Sequence, residues 1–309
     1  MNKKVIFLVG PTAVGKTEFS IELALILDGE IVSSDSMQIY KFMDIGSAKP
    51  SISERAIVRH YLVDEIDPRD DFSVSLYQSL GKKYIKEILE HGKQPIVAGG
   101  SGLYVNSLLY DMDFSVASSN QELRQKLEAE ASIHGKEHLF NKLVDIDPIG
   151  SKKIHPNNAI KVIRALEVFY TTGTPIKPFR EALIPTKDYE YIIIGLTMDR
   201  EMLYDRINTR VEMLFNQGLV SEVENLLKLG LTESNISMKG IGYKEVISLI
   251  NGECSLEEAK ILIKKNTRKY AKRQMTWFNS LENVKWFNMS EYEDKSLLLE
   301  EVAVWIKKQ

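Results

Sequence analysis

VIFLVGPTAVGKT, Val5 to Thr17, is the stretch whose reading decides the fold. Apolar, β-rich residues run straight into a loop of the pattern G-x-x-x-x-G-K-[ST]. Phe19, Ile21, Leu23, Ala24 and Leu27 then recur at helical spacing through Thr17 to Leu27. The order is strand, loop, helix. In such a loop backbone N–H groups surround phosphate oxygens, the lysine adds charge and the hydroxyl binds Mg²⁺. Gly10, Pro11, Thr12, Ala13, Val14, Gly15, Lys16 and Thr17 are therefore candidates for holding a phosphate or diphosphate, with Thr17 as the metal-binding hydroxyl. A plain glycine-bearing turn is the alternative, and the placement between strand and helix argues against it.

Two further short apolar runs lie downstream. Glu30 to Ser33 ends at SSDSMQIY and Pro95 to Ala98 ends at GGSGLY, with the helical stretch Ser75 to Glu90 between them. Strands alternating with helices predict a parallel sheet with crossover helices, and ligands in such sheets sit at the carboxyl ends of the strands. Gly10, Asp35 and Ser101 all fall at such ends. Asp35 reads as a general base, as a magnesium ligand through water, or as a helix N-cap with Ser36. Ser101 offers a hydroxyl, although GGSGLY alone also reads as a tight turn opening a helix. From about Ser115 to Asp188 strand signals vanish, and Glu122 to Ala131 and Asn158 to Tyr170 are helical. Tyr191 to Leu196, YIIIGL, restores a core strand, and the remainder reads as helix from Arg200 through Leu229 and from Leu256 through Trp277. The expected architecture is a P-loop NTPase-like α/β core, 1–114 and 189–309, with a helical C-terminal part and an inserted helical subdomain, 115–188.

Length and composition suit a globular protein: 309 residues, 44% apolar, net charge −3. That charge excludes a global polycation, so affinity for nucleic acid must come from local clustering. The single cysteine, Cys254, excludes an internal disulfide and a cysteine-ligated zinc site. The basic, then apolar start is broken by Gly10 and Pro11, short of a signal-peptide core, and no later run approaches the roughly 20 apolar residues of a membrane span. A cytoplasmic protein, away from membranes and acting as a monomer, is expected.

Three charged clusters remain. Ala259 to Phe278 carries Lys260, Lys264, Lys265, Arg268, Lys269, Lys272 and Arg273 without an acidic residue, interleaved with Tyr270, Trp277 and Phe278, a one-signed pattern that favours nucleic-acid backbone contact over a solvated face. Arg206 and Arg210 in LYDRINTRV share a helical face, where guanidinium groups can meet a diphosphate or pair with Asp205 or Glu212. His134 and His138 have i, i+4 spacing, but Gly135 stands where the zinc-protease signature needs glutamate, which argues against a metal there. DPRDDF, Asp67 to Phe72, reads as a turn at Pro68 rather than a metal cluster.

Taken in order, GPTAVGKT, SSDSMQIYKFMDIGSAKP, HYLVD, GGSGLYV, ELRQKLEAE, HPNNAIKVIRALEVF, LYDRINTRV, KGIGYKE and TRKYAKRQMTWF resemble the tRNA dimethylallyltransferase family along nearly the whole chain. The resemblance implies transfer of a dimethylallyl group from dimethylallyl diphosphate to N6 of the adenosine just 3′ of the anticodon, so that the loop holds a prenyl diphosphate, with Mg²⁺, rather than a nucleotide. Asp35 then resembles the general base, with Ser101, Lys16, Thr17 and Arg210 completing the catalytic set. Matching positions imply contacts with the anticodon stem-loop of tRNA from Asp35, Ser36, Met37 and Gln38, from Ser101, and from Arg124. Ile160, Lys161, Val162, Ile163 and Arg164 form a further segment, and Lys239, Gly240, Ile241, Gly242, Tyr243 and Lys244 another. Lys272, Arg273, Gln274 and Trp277 complete the set. The sequence departs from the family at Ser101, where threonine is usual and the hydroxyl is kept. It also departs at Lys161 and Lys244, where relatives carry arginine and a bidentate phosphate contact is weakened. Two other classes stay open on the residues alone: a P-loop small-molecule or nucleotide kinase, against which the absence of an arginine-rich lid counts, and an NTP-dependent RNA-binding module without covalent chemistry.

Overall fold

The structure, a computed structural model, describes residues 4–112, 114, 120–175 and 183–309. It divides into two compact units, one running to Leu109 and resuming at Lys187, the other Tyr110–Thr186. The boundary expected at Ser115 lies outside the described residues.

The first unit begins with β1 (Val5–Val9), α1 (Lys16–Leu27), β2 (Gly29–Ser34), α2 (Ile52–Ile57), β3 (His60–Tyr61), α3 (Val74–Glu90), β4 (Gln94–Gly99) and α4 (Gly102–Leu109). The second holds α5 (Gln121–His134), α6 (Lys136–Ile146) and α7 (Ala159–Thr172). The chain then returns through β5 (Tyr191–Thr197), α8 (Arg200–Asn216), α9 (Leu219–Lys228), α10 (Tyr243–Ile250), α11 (Leu256–Phe278), β6 (Val284–Asn288) and α12 (Lys295–Lys307).

The six strands form one parallel sheet in the order β3-β2-β4-β1-β5-β6. Strand β1 is central and wholly buried, which is why its sequence is a continuous apolar run rather than an alternation. Ile6, Leu8, Ile31, Ile96, Ile194 and Leu196 point to one face, where Phe19, Leu23, Ile207 and Val302 complete the core. Helix α3 packs against β2 and β4. The chain leaves β1 for one side of the sheet and reaches β5 on the other, and a ligand crevice belongs at the carboxyl ends beside that reversal. Gly10 admits the close approach there, since a Cβ on it would collide with the Leu196 carbonyl.

Two expected features are corrected. Arg200 through Leu229 is two helices, because Gly218 sits at φ +100, a left-handed conformation that breaks the helix between Asn216 and Leu219. The C-terminal part also contains β6, which pairs Ile193 with Val284 through Thr197 with Asn288. The start of α11 follows from SLEE: the Ser255 side chain accepts from Glu258 N while Glu258 Oε2 accepts from Ser255 N, a capping box.

In the second unit Leu127, Leu139, Leu143, Val162, Ile163, Ala165 and Leu166 form a separate helical core. Glu167, 1% exposed, accepts from Arg124 at 2.9 Å and from Arg164 at 2.8 Å. Burial alone would raise the Glu167 carboxyl, but these two guanidinium groups outweigh it and hold it below the ordinary glutamate value. No helix among the described residues is long and apolar enough to cross a membrane.

Candidate active site at the carboxyl ends of the strands

The loop after β1, the Asp35 turn after β2 and the glycines after β4 line one cavity of about 770 Å³ with residues of α8 and α11. Within the phosphate loop Ala13 has φ +67 and Gly15 φ +110. This winding leaves the amides of Gly15, Lys16 and Thr17 without a backbone acceptor among the described residues, at the N-terminus of α1, where orphan N–H groups favour an anion. Val14 serves differently, since its side chain is fully buried in the core. Lys16 Nζ donates to the carbonyls of Gly10 at 2.9 Å and Pro11 at 2.8 Å. Burial pulls its pKa down to about 7, Asp35 opposing and Arg210 reinforcing the shift.

Arg206 and Arg210, one turn apart on α8, both line this cavity, and neither makes a hydrogen bond or ion pair with another described residue. Glu212, the alternative partner, is taken by Lys260 and Lys264 of α11. Burial lowers the Arg210 pKa, partly offset by Asp35, and the neighbouring Arg206 lowers it further. Lys16 and Arg210 both feel Asp35 and Arg206 stands beside Arg210, while Glu18, Glu54, Asp205 and Lys49 also line the cavity.

Asp35 is held by its own turn, Oδ1 accepting from Met37 N at 2.9 Å and from Gln38 N at 3.4 Å, so it serves turn formation and still lines the cavity. Ser101 Oγ accepts from Ser36 N at 3.0 Å, and the Ser101 amide donates to Ser34 O at 3.0 Å. Gly99 is required beside Ser34, since a Cβ there would strike the Ser34 backbone. Tyr270 of α11 lines the same cavity, and burial together with Asp35 pushes its hydroxyl up to about 12, with Ser101, Arg273 and Gln274 opposing. Sequence reading noted Tyr270 only as an interleaved aromatic; its i, i+4 relation to Gln274 was the available signal.

The candidate RNA positions sort by exposure. In the second unit Val162 and Ile163 are 0% and 6% exposed and belong to its core, whereas Ile160 and Lys161 are exposed and Arg164 is half-buried. Arg124 and Arg164 are both engaged by Glu167. In the first unit Gly242 and Tyr243 are buried, the Tyr243 hydroxyl donating to Glu222 at 3.0 Å, while Lys239 and Lys244 are exposed. Gln274 is buried and bonded to backbone, and Trp277 Nε1 donates to Asn106 Oδ1 at 3.1 Å. The basic stretch of α11 has two faces: Lys260 and Lys264 pair with Glu212 and Arg268 donates to Asn208, whereas Lys265, Lys269, Lys272 and Arg273 are exposed. His138 bonds Glu130 at 2.7 Å, and Asp67 takes Arg69 in a turn. No cluster of His, Cys, Asp or Glu among the described residues could cage a metal.

Fold and site together define an enzyme of P-loop-like α/β fold with its cleft at the carboxyl ends of the strands. Residues 38–281 match the family model described as IPP transferase. A tRNA dimethylallyltransferase of Alkaliphilus oremlandii is 52% identical over 300 residues, 97% of this chain and 96% of that one. The crystal structure of a full-length tRNA isopentenylpyrophosphate transferase from Bacillus halodurans superposes with a TM-score of 0.74 at 42% identity, covering 99% of this chain and 96% of that one. A eukaryotic dimethylallyltransferase solved acting on tRNA gives a TM-score of 0.84 at 27% identity, covering 98% and 78%. The chain belongs to the family of tRNA dimethylallyltransferases, the IPP transferases.

Proposed function

We propose that this chain transfers the dimethylallyl group of dimethylallyl diphosphate to N6 of the adenosine 3′-adjacent to the anticodon of tRNA, in the cytoplasm, releasing diphosphate. The observation that carries this reading is the convergence of Lys16, Arg206 and Arg210 with Asp35 in one cavity, the arginines having no ion pair among the described residues.

The allylic C–O bond breaks with positive charge growing on carbon and negative charge on the departing diphosphate. Loop amides, Lys16 and Arg210 supply fixed positive potential where that negative charge grows. The Thr17 hydroxyl lines the cavity without a hydrogen-bond partner among the described residues, and no protein carboxylate cage competes. That fits Mg²⁺, which is held through few protein groups, waters and substrate phosphates. Thr17 would hold it, and it would supply Lewis-acid stabilisation of diphosphate oxygens. Asp35 takes the proton that the adenine amine loses as nitrogen attacks carbon, and Ser101 fixes the turn beside it. The base leaves its stack to enter the cavity, while Lys269, Lys272 and Arg273 on the exposed face of α11 meet the RNA backbone.

The test is mass spectrometry of nucleosides from tRNA incubated with the protein, dimethylallyl diphosphate and Mg²⁺. The expected result is one dimethylallyl group on that adenosine. Unmodified adenosine, or phosphoryl transfer from ATP to an acceptor, would replace this reading with binding alone or with a kinase.

A further inference from the structure

We propose that Gln274 is a positioning residue that locks the diphosphate loop to the loop carrying Ser101, and is not an RNA contact; this rests on the diphosphate site proposed above. Gln274 is 5% exposed, on the face of α11 opposite its free lysines. Its Oε1 accepts from Thr12 N at 2.8 Å and its Nε2 donates to Gly100 O at 3.0 Å. A backbone N–H only donates and a carbonyl only accepts, so the two partners fix which end of the amide faces which loop.

Three observations make this a built bridge. First, strands β1 and β4 pair, but beyond them no backbone hydrogen bond among the described residues joins the phosphate loop to Gly100 or Ser101, so the side-chain amide spans that gap. Second, the glycines of GGSG make room for α11: a Cβ on Gly100 would collide with the Gln274 amide, and one on Gly102 with the Trp277 ring. Third, Tyr270, one turn before, lines the same cavity as Gln274 and Asp35. The amide thus holds the donor loop in register with the turn that carries the base. Removing it leaves a part-buried N–H and a buried carbonyl unpaired, and the loop relaxes to find other partners.

The substitution Gln274→Met keeps length and apolar packing but removes both hydrogen bonds. A second variant, Gly100→Ala, keeps the glutamine and displaces its amide. On the full chain, binding of inorganic diphosphate with Mg²⁺ is measured by calorimetry and binding of tRNA by filter retention without donor, alongside donor KM and melting temperature. Both variants are expected to weaken diphosphate binding and raise donor KM by about tenfold or more, with tRNA affinity within about twofold of wild type. Lost tRNA affinity with intact diphosphate binding would make Gln274 an RNA contact and overturn the proposal. Equal loss of both ligands with a lowered melting temperature would overturn it in favour of a purely structural role. Should wild type bind diphosphate and both variants bind it equally well, only the role of Gln274 falls. Should wild type bind no diphosphate at all, the site itself has been misread.

Discussion

Two pairs of arginines show how this chain uses positive charge. Arg124 and Arg164 share one buried carboxylate, Glu167, and each makes a charge-assisted hydrogen bond to it. Arg206 and Arg210 share a helical face and a cavity but have no ion pair among the described residues, with the desolvated Lys16 beside them. The first pair spends its charge on folding a helical unit. The second keeps uncompensated charge at a strand-end cleft, a state that an incoming polyanion relieves. The same division runs through α11, where Lys260 pairs with Glu212 and Glu257 and Lys264 with Glu212, whereas Lys265, Lys269, Lys272 and Arg273 are exposed.

The largest effect is expected at Asp35, the carboxylate that Lys16 and Arg210 face. Asp35→Ala should lower single-turnover transfer by about 10³-fold, in the range of general-base removal, with tRNA affinity in filter binding nearly intact. Wild-type turnover would remove Asp35 from the chemistry. Arg210→Met should lower transfer by roughly 10²-fold, as for loss of one group stabilising the developing charge. Because Arg210 is desolvated without an ion pair, its melting temperature should hold or rise; a large drop would mean that this arginine is structural like the other pair.

A pH titration sharpens the same contrast. With its pKa near 7, Lys16 is charged below that value and loses its proton above it. Diphosphate binding restores the charge, so affinity should fall above pH 7 by up to about tenfold per unit, with proton uptake by the lysine visible in buffers of different ionisation enthalpy. In stability the sign is opposite to that of an ordinary ion pair. The unfolded lysine holds its proton up to about 10.5, so the penalty for burying Lys16 is full below pH 7 and fades as pH rises from there towards 10.5. Glu167→Gln, in contrast, should destabilise its unit by about 2 kcal/mol in denaturant unfolding, as expected for removing the charged acceptor shared by Arg124, Arg164 and the Asn120 amide. The Glu167 pKa is depressed, so its stabilisation is present above about 4.5 and lost as pH falls through the folded value.

The smallest effect separates the two faces of α11. Replacing Lys272 and Arg273 by alanine should reduce the salt dependence of tRNA binding by about 0.7 per lost phosphate contact. Lys264→Ala should leave that slope unchanged and show only in thermal stability.

Much of the site was legible because it is local in the chain. VIFLVGPTAVGKT carries strand, loop and helix start within a few residues, and Asp35 and Ser101 directly follow apolar strands. What escaped depends on distant partners. Nothing near Lys260 or Lys264 announces that both pair with Glu212 on another helix. Val162 and Ile163 were read with their neighbours as an RNA-facing segment, although helical spacing turns them into a core while Ile160 stays 83% exposed. Strand β3 is two residues long, too short for any periodicity, and β6 is VKWFN, whose ladder with β5 supplies what its sequence lacks. Gln274 bridges two backbone groups that only the folded sheet brings together.

The central claim is that the phosphate loop holds a leaving group while attack occurs at carbon. It is tested most directly with dimethylallyl diphosphate carrying heavy oxygen at the bridge between carbon and phosphorus, incubated with tRNA and Mg²⁺. The label is expected wholly in the released diphosphate, with the prenyl group on the adenosine. Label left on free dimethylallyl alcohol, or phosphate on the RNA, would show attack at phosphorus and contradict it.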